Sequence, residues 1–579
     1  MAEVTWPQLT RRHALPGGAP VSASPRGLVR RWAPVAGEWA AGLVPALLFT
    51  YWARSIHDNP IARSGQISGL ADLQFRLTLL GLPVLVLAGW AAVRGSARTR
   101  ELAVRLASPA VAGLVSGFLA GGQVFMLRGT PYPINGISGD TGNLVYWSNQ
   151  VIHTGTFDNI YPPGIPHIAA WLAEAFYNNQ TDLVFKPMLI VLTALSCPLV
   201  YLAWRMVLRP LPALGIAVLC GVALYLPYKQ YSPLILLLLV PVIAKLAQWL
   251  RGSPAFSVRG AVLRGLWLGV MLSVLFLLYS GWHVWTFPGV VALVLCFFPW
   301  RRAGGAGRLR GLLLLVGTSV SFLAISGGYT LKMLSATSTK DLWCSQITLT
   351  QPAYIGELPF NGIQWNQPGL FPNFAGTFTG LDFYTVAMIA GLGLAVALGL
   401  RRPAVAGLVA CFGGSWLLRF YFAERMVRDQ NVRLFPHTTF VIQYTLTALA
   451  IIACVLVAER LGALTRTISL LSQDRAARVP GLPALPRLDA VRFASVGAMA
   501  ALLLAGGLAG SALTDQYLPT PPSEHTAGSL AWSAHQLRKP DGQCPEFANK
   551  GVCTSLPAQP PAPTTVTTGP LVCNQLWDE

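Results

Sequence analysis

Apolar residues in this chain gather in long runs separated by short polar connections, and that pattern carries most of the fold. A helix needs about 20 apolar residues to cross a bilayer. Thirteen segments meet or approach that length: 33–53, 77–93, 106–127, 185–204, 211–227, 232–250, 262–280, 286–300, 311–328, 383–400, 404–420, 438–457 and 493–513. The pattern predicts an all-α polytopic membrane protein with about 13 transmembrane helices. It also predicts three regions: an N-terminal tail over 1–32, a transmembrane domain over 33–513, and a polar C-terminal tail over 514–579. Three connections are long or polar enough to be folded loops, 128–184, 329–382 and 419–437. No internal repeat is evident.

Composition agrees. The 579 residues are 53% hydrophobic and 11% charged, with mean hydropathy +0.51, which is too poor in charge for a soluble domain of this length. The net charge of +19 is spread as short arginine clusters between apolar runs. That is the distribution of membrane anchoring, so nucleic acid is not an expected partner. Arg11, Arg12, Arg26, Arg30 and Arg31 precede the first run, which lacks a small-residue cleavage site, so no cleaved signal peptide is expected.

With the N-terminus cytoplasmic, the inner connections hold Arg94/Arg98/Arg100/Arg105, Arg205/Arg209, Lys245/Arg251/Arg259/Arg264, Arg301/Arg302/Arg308/Arg310, Arg401/Arg402 and Arg460/Arg466/Arg475/Arg478. This satisfies the preference for basic cytoplasmic loops and places the C-terminus outside the plasma membrane. The exception is 419–437, an outer loop with Arg419, Arg425, Arg428 and Arg433. Outer arginines call for a local anion, and in so apolar a chain a membrane lipid phosphate is the natural one. Of nine cysteines, Cys344, Cys544, Cys553 and Cys573 fall on the outer side and predict two disulfides of undetermined pairing, with free thiols as the alternative.

Candidate chemistry lies in the outer loops. Gly136-Ile-Ser-Gly-Asp140 runs into a helix whose Leu144, Trp147, Ser148 and Val151 share one face. Two compatible readings fit Asp140: an N-cap for that helix, and a general base that removes a proton from an acceptor hydroxyl. Tyr161-Pro162-Pro163-Gly164 makes a rigid turn before an apolar piece, 165–176, too short to span. Lys186 marks the mouth of the fourth span, either as a snorkelling anchor or as a phosphate ligand. Arginine forks match phosphate oxygens, so Arg433, Arg428 and Arg425 form the phosphate-binding set, with ion pairs to Glu424 and Asp429 as the alternative. Tyr161 and His437 complete the substrate-facing candidates. No HExxH, CxxC pair, Walker loop or credible GxGxxG is present, so nucleotide chemistry finds no support. The residues leave a divalent cation open as a cofactor without naming ligands for it.

Gly136-Ile-Ser-Gly-Asp140, Tyr161-Pro-Pro-Gly164, Phe185-Lys-Pro187 and Arg433-Leu-Phe-Pro436 resemble, in order and approximate spacing, the GT-C class of glycosyltransferases. More closely, they resemble the actinobacterial galactan arabinofuranosyltransferase family, over residues 75 to 515. The resemblance implies GT-C-like extracytoplasmic loops, Asp140 at the family's acidic position and Arg433 at its arginine. It also implies inverting transfer of arabinofuranose from a polyprenyl-phosphate donor to a cell-wall polysaccharide such as galactan. The chain departs from the family after the last span, where its tail is shorter and carries three cysteines. A transporter or flippase of a lipid-linked sugar is the rival reading, since it needs a phosphate clamp but no base.

Overall fold

The computed structural model describes residues 25–157, 159–300, 304–335, 383–429, 437–478, 490–524, 526–548 and 551–555. Sixteen α-helices follow one another: α1 Pro25–Ala53, α2 Arg63–Arg94, α3 Ala97–Met126, α4 Gly139–Thr154, α5 Gly164–Phe176, α6 Thr181–Trp204, α7 Pro210–Ala223, α8 Tyr231–Gly252, α9 Val258–Leu278, α10 Gly281–Phe297, α11 Gly304–Ser335, α12 Phe383–Gly399, α13 Pro403–Asp429, α14 Thr438–Arg478, α15 Ala490–Tyr517 and α16 Ser529–His535. The one β pairing among the described residues is an isolated parallel bridge between Leu537 and Thr554.

Among the described residues, ten helices are long and apolar enough to cross a membrane by length and composition, so the architecture is that of an all-α multi-pass membrane protein. Each of the thirteen expected spans falls on a helix. Three of those helices, α7, α10 and the Val386–Gly399 part of α12, are shorter than the rest. The 14 residues of α7 rise only about 21 Å, against a hydrocarbon core of about 30 Å.

Small residues let these helices approach closely, which replaces the hydrophobic drive that lipid does not supply. On α3, Gly113 and Gly117 lie against the α1 backbone, and a Cβ on Gly113 would stand 2.1 Å from the Gly42 carbonyl. On α9, Gly265 and Gly269 meet Leu314 and Thr318 of α11 in the same way.

The two ends of the bundle differ in charge. At one end, Glu38 of α1 accepts from Arg105 at the start of α3 and from Arg205 Nε after α6, the latter at 3.1 Å. Lys245 of α8 donates to the Met206 carbonyl (3.0 Å), Arg251 to that of Arg401, and Arg310 to that of Pro254 (2.6 Å). The opposite end carries the connection 128–184, the turn between α7 and α8, the α9–α10 corner and His437.

Two expectations need correction. The 419–437 segment is not a loop from its start, because α13 continues through Asp429. Asp140 is not an N-cap. Gly139 opens α4, Ser138 holds the capping position without a side-chain bond, and Asp140 sits within the first turn.

The tail folds back on the 128–184 connection. Asn135 N donates to the Leu530 carbonyl (2.8 Å), Thr130 Oγ1 to that of Ala534 (2.8 Å) and Tyr132 OH to that of Arg538 (2.7 Å). His535, fully buried on α16, donates from Nε2 to the Met126 carbonyl at 2.8 Å. Beyond α16, Cys544 and Cys553 form a disulfide. Cys344 and Cys573 lie outside the described residues, so one of the two expected bridges is present.

Closing so short a loop restricts the unfolded tail by about 2–3 kcal/mol in the chain-entropy picture. Reduction should therefore speed hydrogen exchange in 526–548 and in the 127–138 segment that it covers. Equal exchange in both redox states would show that the tail holds without its staple.

Burial, opposed by the bond to the Met126 carbonyl and reinforced by the Lys186 charge, pushes His535 from 6.5 down to about 4. The undocked tail then binds the proton more readily. Docking stability is thus complete above pH 6.5 and lost as pH falls toward 4. Intrinsic-rate-corrected exchange of the tail should be faster at pH 5 than at pH 7, and the H535Q variant should flatten that difference.

Candidate functional site

The chain turns sharply before α4. Asn135, Gly136 and Gly139 all adopt left-handed backbone, with φ of 71°, 58° and 56°, and the Asn135 amide donates to the Ser138 carbonyl at 3.0 Å. Glycine carries that conformation without a Cβ penalty, so the Gly136–Gly139 spacing delivers Asp140 to the first helical turn. The expected inner face holds: Leu144, Trp147 and Ser148 are buried and Val151 is half-buried.

The carboxylate of Asp140 meets the ammonium of Lys229, Oδ2 to Nζ at 2.7 Å. Lys229 stands on the tight turn between α7 and α8, where its backbone N donates to the Leu226 carbonyl (3.0 Å) and the Gln230 side chain accepts from Leu226 N (3.1 Å). The Asp140 and Lys229 side chains keep 28% and 13% of their surface accessible, so the pair is largely buried without being sealed in the core.

Burial alone would raise the Asp140 carboxyl. The Lys229 charge and hydrogen bond, with a smaller contribution from His437, outweigh burial and hold it below its ordinary 3.8. Burial likewise works to lower Lys229, but Asp140, then Tyr279 and Tyr161, raise it well above its ordinary value. Both groups are therefore ionised at neutral pH.

Aromatic rings wall the pair. Tyr161, the first residue of the proline turn, packs at a tilt on Trp147 at 4.8 Å between centroids and shares a 2.7 Å hydroxyl contact with Tyr231. Burial first, then Tyr231 and Asp140, keep its phenol neutral, with Lys229 opposing. The Lys229 ammonium stands 5.8 Å from the Tyr279 ring centroid. From Tyr279 the rings continue through Trp282 (5.3 Å) and Trp285 (5.1 Å) to His437, which stacks on Trp285 at 5.1 Å and 13°. Burial and Lys229 push His437 to about 3, against the pull of Asp140, so its ring is neutral. The proline turn is seated by Gly164, where a Cβ would come 2.8 Å from the Leu277 carbonyl of α9. Tyr329 of α11 fixes the preceding residues by donating to the Ile160 carbonyl at 2.9 Å.

Asp140, Tyr161 and His437 thus converge. Three other expected ligands have different surroundings. The Lys186 ammonium donates to the Leu127 carbonyl (2.9 Å) and to that of Thr130. Arg425 donates to the Tyr421 hydroxyl one turn back and covers that ring at 4.8 Å. Arg428 is exposed at the end of α13. Arg433 lies outside the described residues. Arg419 is buried and donates to the Thr438 (3.0 Å) and Thr439 (2.8 Å) hydroxyls, tying α13 to α14.

Sequence reasoning missed Lys229, Tyr231, Tyr279 and Trp282. A signal for the first was present: Tyr228-Lys229-Gln230-Tyr231 puts one cation in a tight turn at the end opposite the arginine clusters. It breaks the same charge rule as 419–437, in a connection only a few residues long. Among the described residues, no three His, Cys, Asp or Glu side chains converge as a metal site. Compared with known proteins, the chain matches no family model and no curated relative.

Proposed function

We propose that this chain is an inverting membrane glycosyltransferase of the GT-C kind, moving a pentose, arabinofuranose by resemblance, from a polyprenyl-phosphate donor to a cell-wall glycan such as galactan. The observation that carries the reading is the accessible Asp140–Lys229 pair, at 2.7 Å, inside a wall of aromatic rings at the end of the bundle away from the arginine clusters. A carboxylate, a cation and ring faces are what a hydroxyl acceptor, a phosphate leaving group and a sugar require. By the charge rule, that end is extracytoplasmic.

In this mechanism the donor's prenyl chain lies along the spans, and its phosphate takes the Lys229 ammonium from Asp140. The carboxylate, still largely desolvated but no longer paired, becomes a stronger base. The acceptor hydroxyl oxygen bonds to the anomeric carbon from the face opposite the phosphate. The bond from that carbon to the phosphate oxygen breaks, the hydroxyl proton passes to Asp140, and Lys229 stabilises the charge left on the lipid phosphate. Tyr161 and His437, both neutral, line the sugar position.

The test is transfer from radiolabelled polyprenyl-phosphate pentoses to galactan fragments by the purified chain. Labelled glycan is expected. Donor binding and translocation with no labelled glycan, from any sugar tried, would replace this reading with a flippase.

A further inference from the structure

A second polar–apolar juxtaposition lies away from the Asp140 pair, where α1 ends. Leu48, Tyr51, Trp52, Arg54, Ser55 and Leu80 line a groove of about 620 Å³ between α1 and α2. The apolar span of α1 stops at Ala53, and the apolar run of α2 begins at Leu77 after the polar Gln66, Asp72, Gln74 and Arg76. Arg54, Ser55 and Arg76 therefore stand where hydrocarbon gives way to headgroups, with Trp52 and Tyr51 in the aromatic belt.

The level is fixed by a hydrogen-bond network. Arg76 donates to Asp72 through both carboxylate oxygens (3.0 and 2.6 Å), to Ser55 Oγ (2.9 Å) and to the Trp52 carbonyl, and it lies 4.8 Å over the Trp52 ring. Asp72 thus cancels Arg76. Arg54 is exposed, has no ion-pair partner among the described residues, and lies 5.7 Å from the Tyr51 ring. Arg128 reaches the Ile56 carbonyl, and Lys186 lies within electrostatic reach of Arg54, so the positive field here exceeds Arg54's own charge. This is again a cluster of cations at the end where the charge rule disfavours them.

We infer that this groove binds one anionic phospholipid, its phosphate on the Arg54 guanidinium and one acyl chain along Leu48, Tyr51 and Leu80. The Arg54 guanidinium matches phosphate oxygens as a donor, while the Ser55 hydroxyl is spent on the Trp52 carbonyl at 2.9 Å and the exposed Leu48 and Tyr51 give a chain its apolar contact. The inference does not depend on glycosyl transfer, because the groove is formed by α1 and α2 and the Asp140 pair by α4 and the α7–α8 turn.

The experiment is native mass spectrometry of the delipidated full chain, titrated in parallel with phosphatidylglycerol, phosphatidylcholine and inorganic phosphate. Wild type should retain one phosphatidylglycerol about tenfold more tightly than phosphatidylcholine and should bind no free phosphate. Arg54→Ala should remove the headgroup preference, and Leu80→Trp, which fills the groove without touching its charge, should remove the bound lipid. Equal retention of the two lipids by wild type would reduce the groove to ordinary lipid contact. Binding of inorganic phosphate at the same strength would leave an ion site with no acyl component. Full retention in both variants would place the lipid elsewhere, and should Arg54→Ala fold poorly, Leu80→Trp decides alone.

Discussion

Asp140→Asn should lower sugar transfer by about 10²–10⁴-fold, the range a positioned general base contributes, while leaving the fold intact. Asparagine keeps an oxygen that accepts from Lys229, so the 2.7 Å contact has a substitute, but it cannot take up a proton at the reacting hydroxyl. It also leaves the Lys229 charge without a counter-ion. A donor phosphate then no longer competes with a carboxylate for that ammonium, so affinity for a long-chain alkyl phosphate should rise as turnover disappears. Initial rates with labelled donor, and alkyl-phosphate binding in the same preparation, check both halves. Normal turnover would remove Asp140 from the chemistry. Lost turnover with unchanged phosphate affinity would keep the base and detach Lys229 from the donor.

Lys229→Met removes the other half of the pair and should have the larger structural effect. A carboxylate left unpaired in a desolvated position costs about 3–5 kcal/mol when wholly buried, and less here because the pair is partly open to solvent. The pH dependence has a definite sign. In the native pair Asp140 titrates below 3.8, so its contribution is complete above that value and lost as pH falls through the lower folded-state value. Lys229 is raised above 10.5, so its contribution is complete below that value and lost as pH climbs past it. The wild-type advantage over the methionine variant in thermal unfolding should therefore be greatest between about pH 4 and 10. In the variant, burial acts on Asp140 against only the smaller His437 contribution, so the acidic limb of its pH–rate profile should move to higher pH and donor binding should weaken. Lys229→Arg, which restores the charge, should recover stability more than activity. Identical unfolding of wild type and Lys229→Met at pH 7 would show that the contact contributes nothing to the fold.

The residues that sequence reading found and those it missed differ in how local their signals are. The thirteen apolar runs each became a helix because a bilayer imposes its length requirement on consecutive residues, and backbone groups in lipid are satisfied within the segment. The face formed by Leu144, Trp147 and Ser148 and the proline turn at Tyr161 are equally local: each depends on spacings of three to seven residues or on glycine and proline. Charge placement was legible too, since Arg105, Arg205, Lys245, Arg251 and Arg310 of the expected clusters gather at one end of the bundle.

The end of α13 was not legible, because a polar, arginine-rich stretch reads as a loop whether or not the helix continues through it. Nor was the function of each cation. Lys186 and Arg419 sit where a phosphate ligand was expected or near it, yet their surroundings are carbonyls and hydroxyls of neighbouring helices. The sequence by itself determined a helical membrane chain with two electrostatically distinct ends and a carboxylate next to the start of a short helix, which the structure moved from the cap into the first turn. Only the tertiary structure joined that carboxylate to a lysine 89 residues away and enclosed both with rings from α4, the proline turn, α8, the α9–α10 corner and α10. Such a pairing depends on how helices pack side by side, and nothing in the local order of residues specifies which turn will face which.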